Sequence, residues 1–367
     1  MSLNSNGNFV NDESIPSSCS SSSSSSSSND SCIYEKLHLR PIQIPSTQTN
    51  TKTNQPNMDD HGKLEDTMIS CLNNELTSRF FSTYPYYVQH HSSKKAIQRK
   101  KSGNCIALSY GLQSKLKKNG FKSFLVPASV PKKYRMVDYS QFPICHVAVC
   151  VVISKHVKYI LDPAFYYQAP LRVKIGASTE SINVYQSTPT KDAVDKVMCR
   201  EIRRERFPID ANPKSVSTTL DNKKEDYDVV VVSYENDPED DWEYHLVEVL
   251  NPDSSIGLKY LHMKKEAFLC MLDENWRMKC MVKQRNPPEI MVTEYGEQTT
   301  YPNVDKVPVE VKRRLYDEYG MKPYLNWGEC KRFEEQYSKP ERFEKLKLNF
   351  RKEKTRKVGF RPHATGR

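Results

Sequence analysis

Three consecutive pieces constrain this chain more than any others: Cys145-His-Val-Ala-Val-Cys-Val-Val-Ile153, the turn Ser154-Lys155-His156, and Val157-Lys-Tyr-Ile-Leu161. Two runs rich in β-branched residues around a short polar turn predict an antiparallel hairpin. Asp162-Pro163 closes it, because proline forbids further regular pairing. With the turn centred near Lys155, residues i and j pair when i + j is about 309. That register sets Leu161-Asp162-Pro163 opposite Ile144 to Val147, so His146 and Asp162 meet at one end of two apolar strands. Alternation puts Ala148 and Cys150 on the face of His146, with Val147, Val149 and Val151 on the other.

The segment before the hairpin offers a third polar group. Ser102-Gly103-Asn104 forms a turn that delivers Cys105 onto the first turn of a helix. Ile106, Tyr110, Leu112 and Leu116 give that helix its apolar side, and Asn119-Gly120 stops it. A thiol at a helix start meets unpaired N–H groups and the positive end of the macrodipole, both of which favour thiolate. Upstream, Met68, Cys71, Leu72, Leu76 and Phe80 recur at helical spacing, which predicts an amphipathic helix over 64–81. Tyr84 to Val88 reads as irregular or extended, and His90-His91 as a solvated loop. Phe121 to Val126 reads as a strand stopped by Pro127, and Pro131 to Pro143 as an aromatic loop.

Beyond the hairpin, strands are expected at 171–175, 182–185, 228–234, 244–250, 277–283 and 289–295, with a short helix over 264–272. Thr190 to Lys224, which contains Arg200, Arg203, Arg204 and Arg206, reads as a charged helix with an exposed loop. Its arginines suit either a solvated face or phosphate recognition. Pro308 to Tyr319 predicts a helix that ends at Gly320, and the segment from Glu329 starts helical and then becomes a basic extension.

The ends differ from the middle. Residues 1–60 are rich in Ser, Asn, Thr and Gln, with an unbroken serine run from Ser20 to Ser28, and cannot bury enough apolar surface to order themselves. Within them Cys32 to Leu39 could act as a docking peptide or as a bystander. The formal charge of +10 is concentrated at the other end: from Lys339 onward eleven Lys/Arg face three Asp/Glu, a local +8. The centre is only mildly basic, which argues against a domain-wide nucleic-acid surface. The tail suits nonspecific anionic contacts or a nuclear-import signal.

Ten cysteines occur with no CxxC pair and no Cys/His cluster of zinc-finger spacing, so no structural metal is expected. The N-terminus shows no apolar leader, and no apolar run reaches the roughly 18 residues of a membrane span. Reduced thiols and a cytoplasmic, or also nuclear, setting follow as the expectation.

Thiol acyl chemistry needs a thiolate, an imidazole that takes and returns its proton, and an acceptor that fixes the imidazole. Cys105, His146 and Asp162 supply these in order. His156 is a rival base, disfavoured by its turn position. His245 and His262 fit sheet surfaces, and Cys145 and Cys150 fit core packing.

Gly103-Asn104-Cys105 opening a helix, His146 leading an apolar strand, and Tyr159-Ile-Leu-Asp162-Pro-Ala-Phe165 resemble the three motifs of the papain-like transferase superfamily. That group includes the transglutaminase-like proteins and the arylamine N-acetyltransferases. The resemblance implies an α+β, papain-like (cysteine proteinase) core in which the nucleophile-bearing helix packs on an antiparallel sheet, followed by a β-rich region. It implies Cys105 as nucleophile, His146 as general base and Asp162 as its orienting group, with no required cofactor. Where acetyltransferases carry Arg-Gly-Gly and a glutamate, this chain has Lys101-Ser102-Gly103 and Ala107, so donor and acceptor stay open.

The expected organisation is a Ser-rich arm (1–60), a catalytic core (61–190), a charged helix/loop connection (191–225), a β-rich substrate-binding region (226–325) and a basic tail (326–367). The expected activity is acyl transfer through a thioester on Cys105, with acetyl-CoA as one donor and a small-molecule amine or a peptide amide as substrate. A cysteine protease or amidase with water as acceptor uses the same triad. An inactive interaction module of the same fold is the third reading.

Overall fold

The computed structural model describes residues 2–3, 9–10, 39–42, 58–87, 91–132, 144–174, 181–185, 194–206, 226–250, 266–273, 278–285 and 289–337. The serine run, His90, His262, most of the 131–143 loop and the tail beyond 337 lie outside these residues.

The chain enters through helix α1 (Met58–Ser78), whose Met68, Cys71, Leu72 and Leu76 are buried at the predicted spacing. Strand β1 (Phe80–Ser82), the short helix α2 (Tyr84–Tyr87), helix α3 (Ser93–Lys100) and strand β2 (Ser102–Gly103) follow. Tyr84 to Tyr87 is thus helical rather than extended. Pro85 sits in the first turn, where a missing N–H costs nothing. Helix α4 (Cys105–Lys118) buries Cys105, Ile106, Leu108, Leu112 and Leu116 and packs against α1.

An antiparallel sheet is then built from β3 (Ser123–Ala128), β4 (His146–Val152), β5 (Val157–Leu161), β6 (Leu171–Lys174), β7 (Ser181–Tyr185), β8 (Val194–Arg206), β9 (Asp226–Tyr234) and β10 (Asp241–His245). Its strand order is β7-β8-β9-β10-β3-β4-β5-β6. The β4–β5 hairpin pairs Val149 with Leu161 and Cys150 with Ile160, one residue from the register read in the sequence. β3 does not stop at Pro127, which pairs opposite Val147. Its other side meets β10 only at Ala128 and Tyr244, so a proline there interrupts little.

The order of the strands forces the sheet to curl. β6 and β7 lie at opposite edges, yet only six residues stand between Lys174 and Ser181. The seven Cα steps reach about 25 Å, whereas eight flat strands span roughly 33 Å. The edges therefore approach, with β6 against β8. Lys158 on β5 meets Asp228 on β9 at 2.8 Å although three strands stand between β5 and β9 in the sheet order. The sheet is barrel-like, and this ion pair crosses its interior with both residues buried.

β8 corrects the charged segment. Val194 to Arg206 is a thirteen-residue strand, not a helix, paired on both sides by β7 and β9. Arg204 donates to Asp228 on β9 and Arg203 to Glu243 on β10, so two of the four arginines are committed to other strands of the sheet.

After β11 (Val247–Val249), a second sheet forms from β12 (Ala267–Leu272), β13 (Met278–Arg285), β14 (Glu289–Glu294) and β15 (Glu297–Tyr301). Its order is β15-β14-β13-β12-β1-β2, and only β1–β2 is parallel. β12 corrects the predicted 264–272 helix. Its apolar run Ala-Phe-Leu-Cys-Met-Leu is a central strand with a neighbour on each side, a burial that suits helix and strand equally in sequence. Helix α5 (Val309–Asp317) starts after Pro308, and Gly320 (φ +70°) follows its end. Helix α6 (Trp327–Tyr337) covers this sheet through Cys330 and Phe333. The fold is α+β.

Upstream of α1, Leu39 to Pro41 pairs antiparallel with β11, and Ile42 packs on the main core.

Candidate active site

Cys105 is positioned by its neighbours on both sides. Asn104 is the N-cap of α4, with extended backbone (φ −79°, ψ −173°), and its Oδ1 accepts from the Ala107 N–H at 3.2 Å. Tyr86 on α2 locks the same residue: its hydroxyl donates to Asn104 Oδ1 at 2.7 Å and accepts from the Asn104 N–H at 3.1 Å. Gly103 makes this approach possible. A Cβ there would stand 2.4 Å from Ala107 Cβ and 2.9 Å from the Tyr86 hydroxyl. The β1–β2 pairing of Phe81 with Gly103 fixes the turn from below. Cys105 is 7 % exposed at the first position of α4.

One turn along, the Ser109 hydroxyl donates to the carbonyl of Val147 at 2.9 Å, tying α4 to β4 beside His146. His146 Nε2 stands 2.6 Å from Asp162 Oδ2. Phe165 stacks on the imidazole at 4.3 Å between ring centres and meets Trp242 edge-on. Burial disfavours the charged imidazolium, but the charges and hydrogen bonds of Asp162 and Cys105 outweigh it. The His146 pKa is accordingly held well above the ordinary histidine value.

Asp162 is fully buried and surrounded by donors. Oδ1 accepts the N–H groups of Ala164 and Phe165, both at 3.1 Å, which folds the loop around the carboxylate. Oδ2 accepts the Tyr244 hydroxyl at 2.8 Å as well as His146. Tyr244 and Tyr167 share a 2.9 Å contact. Tyr244 has one proton, which goes to the carboxylate, so Tyr167 donates to the Tyr244 oxygen. Burial first, and the nearby Asp162 charge second, keep both phenols protonated.

Of the three residues named from sequence, His146 and Asp162 thus meet in one buried pair, and Cys105 opens the helix that Ser109 ties to the strand of His146. His156 is exposed at its turn and joins nothing in the site. His245 is buried, not on a sheet surface, and lies near Tyr227 and Glu243, with burial lowering its pKa. His91 is buried too, against the solvated-loop reading. Cys145 and Cys150 are buried, and burial pushes the Cys150 thiol up to about 12, which makes it inert packing. Tyr86, Tyr167 and Tyr244 have no role in the sequence reading. Tyr244 lies 82 residues beyond Asp162, and no spacing rule links them. Among the described residues no group of three or more His, Cys, Asp or Glu could hold a metal ion.

Together these groups set a buried imidazole–carboxylate pair against a helix that begins with a cysteine. No protein-family model matches the sequence, and no curated protein matches it. Solved structures similar to this chain are arylamine N-acetyltransferases, the group its motifs resemble. That of Mycobacterium abscessus is 14 % identical with a TM-score of 0.42, covering 75 % of this chain and 88 % of its own. That of M. smegmatis is 13 % identical with a TM-score of 0.43, covering 74 % and 91 %. Arylamine N-acetyltransferase C of Bacillus anthracis is 15 % identical with a TM-score of 0.40, covering 79 % and 98 %. No helix among the described residues is long and apolar enough to cross a membrane.

Proposed function

We propose that this chain is a thiol-dependent acyltransferase with a papain-like core, in which Cys105 is the nucleophile, His146 the general base and acid, and Asp162 the group that orients the imidazole. The observation that carries the reading is the buried His146–Asp162 pair, closed at the far end by Tyr244, beside the helix that starts with Cys105. An imidazolium favoured by its neighbours is the partner a thiolate needs at neutral pH.

The Cys105 thiolate attacks the carbonyl carbon of the donor, and the carbonyl electron pair moves onto oxygen. The Cys105 backbone N–H, at the first position of α4, is a donor available to that oxyanion. Collapse expels the leaving group, which takes the proton from His146 and leaves a thioester on Cys105. An amine then attacks the thioester, His146 accepts its proton, and the thiolate is released with the acylated product. Acetyl-CoA is one donor this chemistry can use, with a small amine as acceptor, and a peptide amide is another.

Iodoacetamide labelling between pH 6 and 7, read by peptide mass, tests the nucleophile. Cys105 should react several-fold faster than the other nine thiols, and uniform labelling overturns the reading. Incubation with acetyl-CoA should give an acetyl adduct lost in Cys105→Ser. A reactive Cys105 without the adduct assigns a different donor.

A further inference from the structure

Asn104, the residue before Cys105, is 2 % exposed, and the two ends of its amide are used unequally. Oδ1 is claimed three times: the Ala107 N–H donates to it at 3.2 Å, the Tyr86 hydroxyl at 2.7 Å, and Ser93 Oγ lies 3.3 Å away. A backbone N–H is only a donor, so the atom that meets Ala107 is the oxygen and the amide cannot be turned over. Nδ2 carries two N–H groups, is buried, and has no hydrogen-bond partner among the described residues. A hydroxyl left in that state, such as that of Ser102, is still able to rotate. An amide whose oxygen is held keeps its N–H groups aimed one way. A buried donor without an acceptor opposes folding, so its place beside the nucleophile calls for a use.

Asn104 is the N-cap of α4, and its side chain folds across the start of that helix. The N–H groups of Cys105 and Ile106 open at the same end, because the first helical positions have no intrahelical carbonyl and the cap oxygen is spent on Ala107. The amide oxygen is turned to Ala107, Tyr86 and Ser93, so the nitrogen, on the other arm of the planar group, is turned away from them. The turn is not free to shift toward another acceptor. Tyr86 also takes the Asn104 backbone N–H at 3.1 Å, and β1 pairs Phe81 with Gly103 on one side and with Cys270 of β12 on the other.

We propose that Asn104 is a catalytic residue whose Nδ2–H donates, together with the Cys105 backbone N–H, to the oxyanion formed when the Cys105 thiolate adds to an acyl carbonyl. The proposal rests on the acyl-transfer reading above and deepens it. The sulfur–carbon bond forms as the carbonyl electron pair moves onto oxygen, and both N–H groups hold that oxygen without giving up their protons. The pair returns to carbon as the leaving group departs. A donor that gains its acceptor only in the transition state lowers the barrier without tightening the ground state.

Two reagents separate this role from helix capping. p-Nitrophenyl acetate acetylates a thiolate through a tetrahedral oxyanion and releases p-nitrophenolate. Iodoacetamide alkylates it at a saturated carbon, releases iodide and forms no oxyanion. Asn104→Ser and Asn104→Asp both keep a side-chain oxygen for the cap and lose the amide donor. Asn104→Ser should slow Cys105 acetylation about a hundredfold, leave alkylation within about twofold and still unfold cooperatively on heating. Asn104→Asp caps as well as asparagine but should acetylate more slowly still, because a carboxylate oxygen then faces the oxyanion. Acetylation that does not fall in Asn104→Ser, or that falls by the same factor as alkylation, overturns the assignment alone. A native Cys105 that neither reagent labels faster than the other nine thiols removes the acyl-transfer reading and this role with it.

Discussion

At the scale of single residues, the site is defined by what surrounds its polar groups. Tyr244 gives a buried carboxylate its fourth hydrogen bond, and Tyr244→Phe removes that donor without changing shape. A bond to a charged group is worth about 1.5–3 kcal/mol, so urea unfolding should show a loss of that order. Gly103→Ala places a methyl against Ala107 and the Tyr86 hydroxyl. It should cost about 1–3 kcal/mol and slow Cys105 alkylation, both measurable on one preparation. His146 predicts a pH dependence of stability. Its folded pKa, raised to about 10, exceeds the unfolded value near 6.5. Its contribution is therefore complete below about pH 6.5 and is lost as pH rises through about 10. Urea midpoints of the native chain and His146→Gln should converge over that window. The helix start at Cys105 and the meeting of His146 with Asp162 were legible because each has a local signal: a turn before a helix, the head of an apolar strand, and a proline-marked end. The tyrosines were not, since a phenol that reaches across 82 residues leaves no spacing to read.

At the scale of elements, the hairpin was legible to within one residue because an uninterrupted apolar strand, a polar turn and a proline leave one register. β8 and β12 were misread for opposite reasons. In β8, Cys199 to Arg206 mixes charges at intervals that suit a helix, and only cross-strand partners such as Glu243 and Asp228 reveal a strand. β12 is a six-residue apolar run with no alternation, and its neighbours on both sides decide. The start of α4 supplies the prediction at this scale. Asn104→Ala deletes the N-cap and the partner of Tyr86 together. It should cost about 0.5–2 kcal/mol of stability in thermal or urea unfolding, with Asn104→Asp closer to native.

At the scale of the molecule, the barrel-like sheet is held across its interior by Lys158 and Asp228, whose side chains are 7 % and 10 % exposed. Lys158→Met alone leaves a buried carboxylate with only Arg204 and should cost about 3–5 kcal/mol. The double variant Lys158→Met with Asp228→Leu should recover most of that loss, and a failure to recover would show that the charges do more than cancel. Sheet closure was invisible in the sequence because it depends on strand order, which no local pattern encodes. The row from Gly103 through Phe81 to Cys270 has a consequence in time. During synthesis Cys105 leaves the ribosome well before β10 and β12 exist, so its turn, its carboxylate and the phenol that steadies that carboxylate cannot yet be brought together. The nascent chain carries the Cys105 thiol without these neighbours, which join it only when the pairing of Phe81 with Cys270, 189 residues further on, and the bond of Tyr244 to Asp162 finally close.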